Sequence, residues 1–210
     1  MAGGAPPDHP RATRAVIRQG IKVNKVNKVN VNDLHIHILK YIQGGFSESD
    51  MEVMREEIEK LEPGDVYVEI GVDEGRSARV AHEYAKEGIF KIWIDIHDVV
   101  PHSLSIGRAP WMEHEGMVGI GKTGFYIHGD ADQFAKLFDK PFVNLMFIDG
   151  HHGYDDVKKN TLMWEPLMKK GSTILFHDID YPGGVPVWLD DHYGKGKWEN
   201  CHGKIGRVRL

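Results

Sequence analysis

Short contiguous apolar runs alternate along this chain with stretches whose apolar positions recur at helical spacing, and the runs stop at a glycine or an acid. Val66-Tyr-Val-Glu-Ile70 is the first such run; it meets Gly71, and a helix-like stretch from about Arg76 to Lys86 follows. Strand, tight glycine turn, helix is half of a βαβ nucleotide site. Further buried strands are predicted at 90–94, 125–128, 143–148 and 172–176, with helices over 131–138 and 154–169 and another starting near Gly183. Such alternation predicts a parallel sheet with ligands gathered at the strands' C-terminal ends. Glu69, Asp95, Asp130, Asp149, His177 and Asp178 all fall at those ends. Asp95 and Asp130 each have an ordinary reading as a turn or helix-capping acid. Six polar groups at equivalent strand ends point to a site. Lys197–Cys201 and Ile205–Leu210 read as an antiparallel pair closing the sheet.

Ahead of the first strand, Leu34, Ile36, Ile38, Leu39 and Ile42 form an apolar patch ended by Gly44-Gly45. It reads as a helix, although the alternation from Leu34 to Ile38 also fits a strand. Ser47 or Ser49 caps a second helix through about Leu61, with Met51, Met54, Ile58 and Leu61 at helical spacing and Pro63-Gly64 ending it. Residues 1–32 fit neither period. They begin Gly/Pro/Ala-rich and end in a Lys-Val-Asn repeat. The organisation is therefore a basic arm over 1–32, N-terminal helices over 33–64 and one α/β domain over 65–210.

Charge sharpens this division. The chain of 210 residues carries −5 overall, but the arm holds six Arg/Lys against Asp8 alone, leaving −10 on the remainder. An acidic body argues against a nucleic-acid substrate. The arm either docks on an acidic neighbour, which would make a homo-oligomer, or is a solvated tail. Cys201 is the one cysteine, so no internal disulfide forms, as expected in a reducing compartment. No apolar run approaches a membrane span and the N-terminus lacks the apolar core of a secretory signal, so a cytoplasmic protein without membrane partners is expected.

The glycine spacing narrows the ligand. Gly71-x-x-x-Gly75 differs from the Gly-x-Gly-x-x-Gly of a dinucleotide site, and Glu69 stands just before the turn. A carboxylate there disfavours a pyrophosphate and attracts an ammonium or sulfonium, as in S-adenosylmethionine. Residues 97–124, Gly-rich with His102, Trp111, Met112 and His114, read as a long lid or binding loop. Within them Gly116-Met-Val-Gly-Ile-Gly-Lys-Thr123 matches the phosphate-loop string. That motif needs a strand before and a helix after, whereas polar Glu113-His-Glu115 precedes and strand-like Phe125-Tyr-Ile-His128 follows, so the match reads as chance.

With these motifs in view, the chain resembles the class I S-adenosylmethionine-dependent methyltransferases, and within them the small-molecule group of macrolide-sugar O-methyltransferases and cephalosporin hydroxylase-like proteins. The resemblance is carried by Val68-Glu-Ile-Gly-Val-Asp-Glu-Gly75, by Phe147-Ile-Asp-Gly-His-His-Gly-Tyr154 with Asp156-Val-Lys-Lys-Asn160, and by Leu167-Met-Lys-Lys-Gly-Ser-Thr-Ile-Leu-Phe-His-Asp178 with Pro182-Gly-Gly-Val185 and Trp188. It covers about Asp65 to Leu210. It implies a doubly wound, mostly parallel, seven-stranded Rossmann-like sheet with an antiparallel closing strand. It also implies that Glu69 and Gly71 face the methionine part of the cofactor, Asp95 the ribose, and Asp130 with Ala131 the adenine. Gly75, Ser77 and Asp149 complete the implied cofactor-binding set.

Metal-dependent relatives place an acid after the fourth strand and an acidic pair after the fifth, which land here on Asp149, His177 and Asp178. A histidine in that set makes a mixed site, suiting Mn²⁺, Fe²⁺ or Zn²⁺ better than an all-oxygen Mg²⁺ site, and leaves open that no metal is used. His152 corresponds to a general base, working beside Asp149, while a turn into the core is the open alternative for His151. The implied activity is O-methylation of a small-molecule hydroxyl. The alternative is a hydroxylase-like or non-catalytic cofactor-binding protein on the same fold.

Overall fold

The computed structural model describes residues 31–96, 108–114, 117–120 and 123–210. The basic arm up to residue 30, residues 97–107 of the expected lid, and Lys122 lie outside the described residues.

Two helices come first, α1 (Val31–Tyr41) and α2 (Glu48–Ile58). α1 begins two residues inside the span assigned to the arm. Its helical form settles the ambiguity at Leu34–Ile38: His35 and Ile38 are fully buried while Ile36 is exposed, a spacing of three that a strand would not give. α2 starts at Ser47 in a capping box, with Ser47 Oγ accepting from the Asp50 amide and the Asp50 carboxylate accepting from the Ser47 amide.

The central unit follows as β1 (Val66–Ile70), α3 (Arg76–Tyr84), β2 (Phe90–Asp95), β3 (Arg108–His114), β4 (Met117–Ile120) and β5 (Gly124–His128). Then come α4 (Ala131–Ala135), β6 (Val143–Ile148), α5 (Tyr154–Trp164), β7 (Met168–Phe176), α6 (Val185–His192), β8 (Glu199–Asn200) and β9 (Gly206–Arg209). The sheet order is β3-β4-β5-β2-β1-β6-β7-β9-β8. Strands β5, β2, β1, β6 and β7 are parallel neighbours, and β9 runs against both β7 and β8. The seven strands from β5 to β8 therefore form the expected sheet, six in one direction and β9 closing it in the other.

Alternation along the strands divides the core in two. Tyr67, Trp93, Phe147 and Leu175 pack with Ile38 of α1, Met51, Met54 and Ile58 of α2, and Ala78 and Ala81 of α3. Val68, Ile70, Ile94, Met146, Ile148, Ile174 and Phe176 face the other way, onto Ala135 of α4, Trp164 of α5 and Trp188 and Leu189 of α6. No helix among the described residues is long and apolar enough to cross a membrane.

Two expectations are corrected. The span 97–124 is not a continuous loop: β3 and β4 pair antiparallel and extend the sheet beyond β5. Strand pairing supplied by the β5 edge, absent from any local pattern, outweighs the Gly/Pro content of that stretch. It also puts β4 inside the phosphate-loop string, with β5 and no helix directly after Thr123. The helix predicted over 154–169 stops at Trp164. Pro166 brings a 3₁₀ turn at Glu165–Leu167, and β7 opens at Met168, four residues early, with a register shift before Thr173 meets Leu145.

Candidate active site

The glycine turn after β1 is held from two sides. Gly71 has φ +84, and a Cβ there would collide with the Asp149 carbonyl, so the tips of β1 and β6 meet backbone to backbone only because this residue has no side chain. From β2, Asp95 Oδ2 accepts from the amides of Val72 at 2.6 Å and Asp73 at 2.9 Å. Gly75, at φ +80, ends the turn as the N-cap of α3.

A cavity of about 650 Å³ opens over the C-terminal ends of β1, β2, β5, β6 and β7. Gly71, Ser77, Asp95, Asp130, Ala131 and Asp149 line it, as do His151, His152, His177 and Asp178. Glu69 and Gly75 do not. Glu69 is fully buried on the α1–α3 face of the sheet, where Tyr67 Oη donates to it at 2.7 Å and Ser77 Oγ at 2.5 Å. Strand alternation is the reason: Ile70, facing the other way from Glu69, lines the cavity, followed by Gly71 beyond the strand. Burial raises the Glu69 carboxyl to about 8, against the lowering effect of those two hydrogen bonds. Its expected direct contact with a cofactor is thus replaced by a position beneath the turn.

Asp130 takes both of its weighed roles' positions. It lines the cavity, and Oδ1 caps α4 by accepting from the amides of Asp132 at 2.8 Å and Gln133 at 3.3 Å. Beside it, buried Asp132 is tied to Lys159 Nζ at 2.6 Å and to Asn160 Nδ2 at 2.8 Å. All three line the cavity and were missed as site residues. Lys159 and Asn160 lie in the recognised Asp156–Asn160 motif, but only the packing of α5 beside α4 shows what they meet.

At the other end of the cavity, the tips of β6 and β7 bring charged groups together. His177 Nδ1 donates to Asp149 Oδ1 at 2.9 Å and lies 3.3 Å from Asp178 Oδ2, while its Nε2 is 3.5 Å from Asp50 Oδ2. Burial opposes a charge on this ring, but three carboxylates outweigh it and raise the pKa to about 11. His177 in return lowers Asp178, whereas burial raises Asp149. Asp178 has φ 54, a left-handed backbone that costs energy for a residue with a side chain. Its Oδ2 also lies 2.9 Å from His152 Nδ1. His151, for which the core was the open alternative, is exposed and lines the cavity instead.

These contacts correct the expected metal set. Both His177 ring nitrogens face carboxylates, Nδ1 towards Asp149 and Nε2 towards Asp50, and among the described residues His177 is not in the cluster that could hold an ion. Asp149, His152 and Asp178 do fit: each offers a ligand atom, all within 4.8 Å of one another, in a mixed oxygen and nitrogen set.

A sequence profile described as a methyltransferase domain matches residues 68–179, which spans the glycine turn, the cavity and both strand tips. Among curated proteins no match was found. Solved structures share the fold at low identity. An S-adenosylmethionine-dependent O-methyltransferase from Thermotoga maritima aligns with TM-score 0.55 and 14% identity over 80% of this chain and 57% of that one. An O-methyltransferase from Bacillus cereus in complex with SAH gives 0.57 and 12%, over 90% and 94%. The MycE methyltransferase of the mycinamycin biosynthetic pathway, in complex with Mg, SAH and mycinamycin VI, gives 0.57 and 14%, over 87% and 55%. This chain thus spans little more than half the length of the first and third. With more than half of its residues matched by that profile, and with the sheet described above, the chain belongs to the methyltransferase-domain family and has the class I methyltransferase fold.

Proposed function

We propose that the chain transfers the methyl group of S-adenosylmethionine to a hydroxyl oxygen of a small molecule. The observation that carries this is the cavity over the strand ends: its volume of about 650 Å³ suits a cofactor with a small acceptor, and its two ends differ in chemistry. The turn Gly71–Gly75, Asp95 and Asp130 lie at one end, where the cofactor's amino acid, ribose and adenine would be held. His152 and Asp178 lie at the other, with Asp149 between them and the turn, its carbonyl against Gly71.

At the second end His152 is the base. Donation of its Nδ1–H to Asp178 leaves Nε2 as the nitrogen with a lone pair. As the acceptor oxygen forms its bond to the methyl carbon, the carbon–sulfur bond breaks with its electron pair going to sulfur, and the hydroxyl proton passes to His152 Nε2. Asp178 holds the ring and stabilises the charge it gains. The cavity positions the two reactants for an in-line displacement. Asp149 and Asp178, with His152 beside them, are the residues that would hold a divalent ion, which when bound lowers the pKa of an acceptor hydroxyl. The magnesium in the MycE complex supports this.

Calorimetry with S-adenosylhomocysteine (SAH), with and without Mg²⁺ or Mn²⁺, tests the cofactor, and methyl transfer from labelled cofactor to a pool of hydroxylated small molecules tests the reaction. Absence of SAH binding under all these conditions rejects the proposal.

A further inference from the structure

The connection between α1 and α2 belongs to neither helix, yet Gln43, Gly44, Gly45 and Phe46 all line the cavity. Two of its four residues are glycines that bring no packing of their own, so something else must hold it there. Arg76, the first residue of α3, does so. Its Nη1 donates to the Gly44 carbonyl at 2.6 Å and the Phe46 carbonyl at 3.0 Å, its Nε donates to the Ile42 carbonyl at 2.8 Å, and Nη2 reaches that same carbonyl. Satisfying Ile42 alone would be ordinary capping of α1 by a cation. The carbonyls of Gly44 and Phe46 are not helix groups. A guanidinium spread over all three fixes the course of the connection as well as the end of the helix.

That course matters because of where its two ends sit. A Cβ built on Gly44 would lie 3.8 Å from Arg76 Cβ and 3.9 Å from Asp73 Oδ2, so this end abuts the glycine turn of β1. At the other end the Phe46 ring is 5.5 Å from the His177 ring and 5.6 Å from that of Phe147, against the tips of β7 and β6. The connection therefore runs from the turn end of the cavity to its charged end. Arg76 itself follows directly on Gly75, so the element that shapes the turn also carries the anchor of the opposite wall.

We infer that Arg76 is a positioning residue for cofactor binding: it holds Gln43–Phe46 as a wall of the S-adenosylmethionine site, which the N-terminal helices thereby complete. The inference rests on the methyltransferase reading above. As a wall that closes over bound cofactor, it would on its loss speed release more than it slows entry. A lysine keeps the charge but lacks the planar fork, and one ammonium cannot serve the three carbonyls in the same geometry.

SAH affinity, SAH dissociation rate and melting temperature are measured on the full chain. Arg76→Ala is expected to weaken SAH binding at least tenfold, mainly through faster dissociation, with Arg76→Lys in between. Gly44→Ala disturbs the same wall with Arg76 intact, because Gly44 has φ +140, and is expected to weaken SAH in the same direction. Lys86→Ala, which breaks a surface ion pair with Glu62 beyond the end of α3, is expected to match the wild type. A purely structural role for Arg76 would lower the melting temperature and leave the folded protein's SAH affinity unchanged; that result overturns the inference. If Arg76→Ala does not fold, wild-type affinity in both Arg76→Lys and Gly44→Ala overturns it equally. Failure of the wild type itself to bind SAH removes the methyltransferase reading and this inference with it, whereas wild-type binding with unaffected variants removes this inference alone.

Discussion

Asp50, in the first turn of α2, faces His177 at the tip of β7 across 127 residues of sequence, with Oδ2 3.5 Å from Nε2. The same carboxylate accepts from Ser47 and, through Oδ1, from the Lys204 amide at 2.7 Å. Gly203 leaves room for it, since a Cβ there would strike the Asp50 carboxylate. One fully buried acid thus joins the N-terminal helices, the strand tips of the site and the turn before β9.

Asp50→Ala leaves a buried imidazolium and a buried amide without their acceptor, and is expected to cost ~3–5 kcal/mol in urea unfolding at pH 7. Burial works to raise the Asp50 pKa, but its hydrogen bonds from His177, Ser47 and Lys204 outweigh this and hold it at about 2, below the ordinary 3.8. The stability it contributes is therefore present above pH 3.8 and lost as pH falls toward 2. An unfolding midpoint in Asp50→Ala equal to that of the wild type would contradict this.

Above neutrality two other groups act. Glu69 is raised from 4.5 to about 8, so its contribution is full below pH 4.5 and is lost as pH rises through 8. His177, raised from 6.5 to about 11, contributes fully below pH 6.5 and loses that as pH climbs toward 11. Stability should decline through the alkaline range, and Glu69→Gln should flatten the part of that decline below about pH 8–9. Unfolding titrations of both proteins between pH 5 and 10 check it; parallel curves would show that Glu69 is ionised in the native state.

The contrast between these groups and the sequence reading is instructive. Strand ends were legible because each apolar run stops at a polar residue, and this alone located Asp95, Asp130, Asp149, His177 and Asp178 around one cavity. Glu69 was misplaced because a strand's last residues alternate faces, and the string does not say which face opens to the cavity. Asp50 carried no signal in the sequence, its partner lying 127 residues away. Arg76 and Gln43–Phe46 were invisible for the same reason: a guanidinium that binds backbone carbonyls leaves no side-chain pattern to find. The β3–β4 hairpin required an edge strand to pair with, and its residues alone read as loop.

Asp95 lies at the proposed cofactor end. Asp95→Ala frees the amides of Val72 and Asp73 and removes an acid from the cavity, and is expected to weaken SAH by ~1–3 kcal/mol, roughly ten- to a hundredfold. Gly71→Ala should act through the same turn by forcing the tips of β1 and β6 apart. Wild-type SAH affinity in both variants would mean that the turn does not hold the cofactor.

His152 is the proposed base. If it takes the acceptor's proton, His152→Ala should lower turnover by ~10²- to 10⁴-fold while SAH affinity stays where it was. Asp178→Asn should shift the alkaline and acid limbs of the turnover–pH profile, because it changes the group that holds the His152 ring. Equal losses in turnover and SAH affinity would instead mark His152 as part of the binding wall.

The divalent ion is the sharpest question at this end, because two descriptions of Asp149 and Asp178 compete. Two carboxylates converging in a half-buried site repel unless a positive charge lies between them. His177 supplies one, bonded to Asp149 at 2.9 Å and lying 3.3 Å from Asp178. A metal held by Asp149 and Asp178, with His152 beside them, would supply another, from the cavity side. Burial still raises Asp149 with His177 in place, so one imidazolium leaves part of the cost of ionising it unmet. We therefore expect methyl transfer to be lost with EDTA and restored by Mg²⁺ or Mn²⁺, and Asp149→Ala to remove the metal response together with the activity, by ~10²-fold or more. Calorimetry with the metal alone should show one site in the wild type and none in Asp149→Ala. Full turnover in EDTA-treated protein, with no ion bound, would leave His177 as the charge that holds the two acids together.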